Sequence, residues 1–192
     1  MAEKKKSLDK WKKKKWFQII APKAFEERAV GETPAEKASM VMGRTIEITL
    51  SSLTGQRKHR HVKIKLRVNS VQETKAFTET IGHSIGRSYI RRLARRRQSK
   101  IDAVVKGKTK DGKRIAVTAV VLAEKTEREK ERKIRKIMEK ILMEETAKKE
   151  FELLMQEFLF GVTAGKIIKQ AKEIARIKRV EIVKSRILEG KK

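Results

Sequence analysis

Apolar residues recur along the chain with two different periods. Trp16-Phe17-Gln18-Ile19-Ile20 reads as a short strand, stopped by Ala21-Pro22. Residues 22–43 hold both prolines, Pro22 and Pro34, and read as a looping segment with a short helix around Glu36–Met42. From Arg44 the period becomes two. Ile46, Ile48 and Leu50 alternate with polar residues, and so do Val62, Ile64, Leu66 and Val68. The opposite face of that second strand carries Lys63, Lys65 and Arg67, so one side packs on a core while the other is a row of cations. Residues 71–79 alternate weakly and suit an edge strand. Residues 100–106 and 114–122 flank Lys110-Asp111-Gly112-Lys113, a hairpin signal because Asp-Gly tolerates positive φ at both central positions. The run Ile115 to Leu122 is apolar on both faces apart from Thr118, as in a central buried strand.

Helical spacing appears in two places. Residues 84–97 place Ile85, Tyr89 and Leu93 at i, i+4 and i+8, with Ile90 alongside and arginines over the rest; Ser84 is the expected cap. From Glu124 one stripe runs through Ile134, Ile137, Met138, Ile141 and Leu142. A second runs through Phe151, Leu154, Met155, Phe158 and Leu159 and ends at Gly161. Thr163 is the expected cap of a third helix containing Ile167, Ile168, Ala171, Ile174 and Ala175. Residues 177–183 alternate once more. Strands, then helices, then one returning strand predict an α+β fold: a curled, antiparallel-rich β-sheet or barrel with amphipathic helices packed on it. The expected organisation is a basic flexible arm over residues 1–15, one domain over 16–183 and a basic tail over 184–192.

Charge adds the first functional information. Lys and Arg number 51 against 24 Asp and Glu, a net charge of +27 over 192 residues. The excess is concentrated. Residues 1–15 hold eight lysines against two acids, 57–67 hold six cations and no acid, 84–100 hold seven and no acid, and 106–114 hold five against Asp111. The remaining 140 residues are nearly balanced. Residues 124–150 mix signs, with Glu129–Lys133, Glu131–Arg135 and Glu144–Lys148 at helical i,i+4 spacing, as on a solvated helix face. Unmixed cationic runs instead fit a polyanionic partner.

Other chemistries find little support. The chain has no cysteine, which removes disulfides and thiolate sites. No apolar run approaches the roughly 18 residues that span a bilayer, and no signal-peptide core follows the basic start, so a cytoplasmic location is expected and no membrane partner. Gly161-Val-Thr-Ala-Gly165-Lys166 resembles a phosphate-binding loop but has one residue too few between its glycines, Ile167 where Ser or Thr would bind magnesium, and a helix where a strand should precede it. Gly82-His83-Ser84-Ile85-Gly86-Arg87-Ser88 fails similarly. His59 and His61 lack a third ligand and sit among cations. No catalytic constellation, metal site, cofactor or small-molecule substrate is expected. Trp16 is expected to anchor the first strand in the core, leaving Trp11 as the better candidate for stacking on bases. With 5% aromatic residues and no legible stacking surface, phosphate and shape recognition fit better than base reading.

Ordered short motifs then point to a family. Lys14-Lys15-Trp16 followed by Ala21-Pro22 and Phe25, the Gly31 and Thr33 step, and Gly43-Arg44 with Glu47 and Leu50 come first. Lys110-Asp111-Gly112, then Arg132 with Ile134-Arg135-Lys136 and Met138, then Gly165-Lys166-Ile167, and finally Val180, Val183 and Lys184 follow in order. In this order and spacing the chain resembles the archaeal and eukaryotic small-subunit ribosomal protein family eS-one, also called S-three-a-e, over most of residues 10–188. The eukaryotic C-terminal extension is missing, which points to an archaeal member. The resemblance implies a structural component of the small ribosomal subunit. It would bind ribosomal RNA on the platform side near the messenger RNA exit, beside neighbouring platform proteins, with no enzymatic activity.

The residues expected to meet RNA are Lys12, Lys13, Lys14 and Lys15 in the arm, Arg57, Lys58 and Arg60 in the connection, and Lys63, Lys65 and Arg67 on the strand. Arg87, Arg91, Arg92, Arg95, Arg96 and Arg97 follow on the helix, with Lys108, Lys110 and Lys113 at the hairpin tip. A non-ribosomal RNA chaperone or nucleic-acid-compacting protein would share the charge and is the alternative reading.

Overall fold

The computed structural model describes residues 14–188. Lys12, Lys13 and Trp11, with the rest of residues 1–13, lie outside the described residues, as do 189–192. The strands are β1 (Lys15–Ile20), β2 (Ala29–Ala35), β3 (Thr45–Thr49), β4 (Val62–Gln72), β5 (Lys75–Ile85), β6 (Gln98–Lys108), β7 (Arg114–Glu124) and β8 (Ile177–Ile187). The α-helices are α1 (Leu50–Thr54), α2 (Arg87–Leu93), α3 (Arg128–Lys148), α4 (Phe151–Phe160) and α5 (Val162–Ala171). The fold is α+β, as expected, and the sheet stays open rather than closing into a barrel.

Strand β5 organises the sheet. Along one edge it pairs antiparallel with β4, which pairs in turn with β3. Along the other edge its first residues pair parallel with β1, and Gly82–Ser84 pair antiparallel with β8. The order β2-β1-β5-β8-β7-β6 follows. The weak alternation at 71–79 is therefore the turn and first half of a strand in the interior of the sheet, not an edge. Its polar run Thr78-Glu79-Thr80 hides it, because Thr78 is buried with its hydroxyl donating to the Ile20 carbonyl at 2.7 Å. Residues 29–35 are also strand where a loop was expected. Proline is tolerated there because β2 lies at the sheet margin, with only β1 beside it.

Three apolar clusters hold the layers together. Helices α3, α4 and α5 cover one face of β6-β7-β8 through Ile134, Met138, Leu142, Phe151, Leu154 and Ile167. β7 is buried on both faces, as its sequence indicates. Val62, Ile64 and Leu66 of β4 pack with Leu50, Leu53, Ile85 and Ile90. Phe17, Ile19, Val41 and Val68 form the third cluster. Trp16 does not anchor the core: it is 58% exposed, and the pleat turns Phe17 and Ile19 inward instead.

Two polar devices fix the joins. Where β5 meets β8, a Cβ on Gly82 would lie 2.2 Å from the Ser185 carbonyl oxygen, so only glycine permits this approach. Next to it, buried His83 has Nδ1 2.6 Å from Ser185 Oγ and Nε2 2.8 Å from the Ile182 carbonyl. A carbonyl can only accept, so Nε2 carries the proton and the serine hydroxyl donates to Nδ1. Between the helices, Lys149 bridges Glu145 and Glu157, and Lys166 reaches Glu145 at 2.6 Å. Burial pushes the Glu145 carboxyl up, but its bonds to Lys149 and Lys166 outweigh this and hold it below the usual value.

Candidate nucleic-acid interface

The cation row on β4 forms as its alternation requires. Val62, Ile64, Leu66 and Val68 are buried, and Lys63, Lys65 and Arg67 face the other way. Its middle member is engaged: Lys65 Nζ lies 2.7 Å from Glu47, its cross-strand partner on β3. The hydrogen bond from Lys65 holds the Glu47 carboxyl below its usual value, despite the opposing effect of burial. Lys65 and Arg67 also line a small cavity of about 250 Å³ with Lys184 and Arg186 of β8. The returning strand runs on to Ile187, so Lys184 and Arg186 are sheet residues beyond the expected strand end at 183.

The arginine segment is built differently from its sequence pattern. Ser84 and Ile85 belong to β5, and the helix spans only Arg87–Leu93. Its first carbonyl is Gly86, which accepts from Tyr89 and Ile90; Ser84 caps nothing. Arg95, Arg96 and Arg97 lie beyond the helix in the turn into β6, with Arg97 at φ 63°. The single arginine face is thereby divided. Arg87 and Arg91 overhang the open side of β6 and β7 beside Lys100, whereas Arg92 turns toward the residue 57–61 loop.

The hairpin tip is not a projecting finger. Of its central residues only Gly112 has positive φ, at 77°, and Gly112 N–H donates to the Thr109 carbonyl at 2.9 Å. Asp111 Oδ2 instead accepts from the Phe151 N–H at 3.0 Å, and Lys110 N–H donates to the Lys149 carbonyl at 3.1 Å. Lys113 Nζ sits 5.4 Å from the centre of the Phe151 ring. Lys108, Lys110 and Lys113 are exposed, and Lys110 and Lys113 are held against the α3–α4 junction.

The strongest convergence is a cleft of about 680 Å³ where the residue 57–61 loop, α2 and β8 meet. Arg57, Lys58, Arg60, Arg92 and Arg179 line it. A tight turn over Arg57–His59 presents the first three cations. His61 stacks on Tyr89 with ring centroids 3.8 Å apart and planes 15° from parallel. The guanidinium carbons of Arg92 and Arg179 lie 5.5 and 5.6 Å from the Tyr89 centroid. Glu181 accepts from Arg179 Nε at 2.7 Å. Burial pushes the His61 imidazole below its usual value; Glu181 opposes this, and Arg179, His59 and Arg92 add to it. His61 therefore contributes a neutral ring rather than a charge at neutral pH. Arg179 and this stack are absent from the sequence-based expectations. The signal available was the Lys178-Arg179 pair in an alternating strand, which puts one cation on each face.

The sequence model of the ribosomal S3Ae family matches residues 2–191. The chain belongs to this family. It is similar to the small ribosomal subunit protein eS1 of Sulfurisphaera tokodaii, with 38% identity over 191 residues covering 99% of each chain. It is also similar to the protein of the same name from Methanothermobacter thermautotrophicus, 37% identical over 189 residues, or 98% of this chain and 97% of the relative. The eS1 protein of Ignicoccus hospitalis is 39% identical over 183 residues, covering 94% of this chain and 86% of its own. Within the S3Ae family, then, this chain combines a charge-balanced core with cations on β4, α2, the following turn and the 57–61 loop.

Proposed function

We propose that this S3Ae family member is a structural constituent of the small ribosomal subunit that binds ribosomal RNA through several separate cationic surfaces. The observation that carries the reading is near-full-length similarity to archaeal proteins named as small-subunit components. Its cationic elements support the same reading, since phosphate contacts on several sides suit a protein set among folded RNA segments. The location is the ribosome in the cytoplasm, on the platform side near the messenger RNA exit, with neighbouring platform proteins as partners. Messenger RNA near the exit is a further partner. The role is architectural: cations position RNA backbones and no bond is made or broken. Lys12–Lys15 of the arm contribute further phosphate contacts.

Sedimentation of native lysate tests this. Co-migration with small subunits, resistant to moderate salt, is the expected result. Protein found free or on the nucleoid would return the reading to a non-ribosomal nucleic-acid-compacting role.

A further inference from the structure

We propose that the groove between the residue 57–61 loop and the α4–α5 corner holds one unpaired nucleotide of an RNA strand, with its base beside His59 and Phe160 and its phosphate among Arg57, Arg60 and Arg92. This rests on the RNA-binding reading above and adds base recognition to it.

The groove carries cations throughout, and one end adds an apolar helical wall. The basic cleft adjoins a second cavity of about 430 Å³, and Lys58, His61 and Arg179 line both. The second cavity is lined on its helical side by Phe160, Gly161, Gly165 and Ile168. Phosphate alone needs cations on a surface and has no use for an apolar recess. A paired base keeps its faces inside the helix stack and cannot enter one. An unpaired nucleotide has a flat apolar base and an anionic phosphate joined by a sugar, which matches a groove with an apolar helical wall and His59 at one end and a cluster of cations at the other.

Side chains around the recess are placed for that occupant. Phe151, Leu154, Met155, Phe158 and Leu159 of α4 are buried, whereas Leu153 and Phe160, seven positions apart on its outer side, are 54% and 58% exposed, and Phe160 is the one that reaches this cavity. Its ring meets His59 edge-on, with centroids 6.4 Å apart and planes at 87°. At Gly165 a Cβ would meet nothing within 4 Å. Glycine weakens a helix interior, and no close packing against the protein requires it here. Its absent side chain leaves the recess open. Glu181, the carboxylate lining this cavity, is paired with Arg179 and so offers a phosphate little repulsion.

The test uses the full chain and fluorescence-detected binding of three probes: a single-stranded adenosine trinucleotide, a fully abasic ribose-phosphate strand of the same length, and a duplex RNA. The trinucleotide is expected to bind about tenfold more tightly than the abasic strand, the scale of one stacked base. Gly165→Leu fills the recess without changing charge and should erase that preference while leaving duplex binding unchanged. Phe160→Ser, at an exposed position, provides the same readout independently of Gly165→Leu folding. Equal binding of the base-bearing and abasic strands overturns the nucleotide site while leaving phosphate binding intact. An acidic peptide that competes as well as the trinucleotide also overturns it. Failure of all three probes to bind would overturn the RNA reading itself.

Discussion

Asp111, at the tip of the β6–β7 hairpin, accepts a hydrogen bond from the backbone N–H of Phe151, the first residue of α4, 40 positions later in the chain. Glu150 occupies the cap position of that helix but makes no side-chain cap bond. Asp111 therefore caps α4 from another element and places a carboxylate at the positive end of its dipole. Asp111→Ala should lower unfolding stability by about 1 kcal/mol, as cap removal does. Hydrogen exchange at Lys110 and Phe151 should rise together, because the Lys110–Lys149 backbone bond depends on the same docking. Loss of protection at only one of them would separate the two contacts.

This tie explains one limit of reading the sequence. Lys110-Asp111-Gly112 announces a hairpin, and β6 and β7 pair throughout as that signal implies. What the tip touches depends on where α4 begins in space, which no local pattern encodes. The same limit applies to the arginine segment. Its i, i+4 spacing is compatible with a long helix, but Ile85 is buried from β5 and Ile90 from α2, so two elements share one apparent stripe. Period-two alternation in β4 and the stripes of α3 and α4 were legible because burial on one face dictates every position. β5 was not, because buried Thr78 and His83 satisfy their polar groups inside the fold and look solvent-facing in sequence. Cations were legible as runs, whereas the cleft combines one such run with single residues from α2 and β8.

Gly82 should tolerate no side chain. The atom that a Cβ would strike is backbone, the Ser185 carbonyl oxygen, so no rotamer change relieves the clash. Gly82→Ala is expected to cost about 3 kcal/mol or more, in the range reserved for core disruption. Gly31→Ala is the control, since nothing lies within 4 Å of its Cβ. Chemical denaturation of the two variants checks this, and equal stabilities would remove the β5–β8 approach as a determinant of the fold.

His83 makes stability fall in mild acid. Burial pushes its pKa down to about 4, against the opposing bond to the Ile182 carbonyl, from an unfolded value near 6.5. The unfolded chain therefore binds a proton that the folded chain refuses between these values. Its contribution is fully present above the unfolded pKa and is lost as pH falls through that window toward about 4, up to about 3 kcal/mol in all. His61 acts in the same direction through its own burial. His83→Asn should be less stable at pH 7 and lose less stability on acidification. Parallel stability–pH curves for the two proteins would contradict a neutral buried His83.

Salt dependence should distinguish the cleft from the strand row. Each phosphate neutralised by protein releases counterions, so log affinity falls against log salt with a slope of roughly 0.7 to 0.9 per contact. Arg57, Arg60 and Arg92 line the cleft together. Replacing all three with Gln should flatten the slope by roughly 2 to 3. Lys65 differs because Glu47 already offsets its charge across the β3–β4 pair. The double variant Lys65→Gln, Glu47→Gln should leave affinity and slope nearly unchanged. Titrating duplex RNA at several salt concentrations measures both. A triple variant with the wild-type slope would mean that RNA does not enter the cleft. A large effect from the Lys65–Glu47 double would mean that RNA binding breaks the ion pair and recruits Lys65 to phosphate.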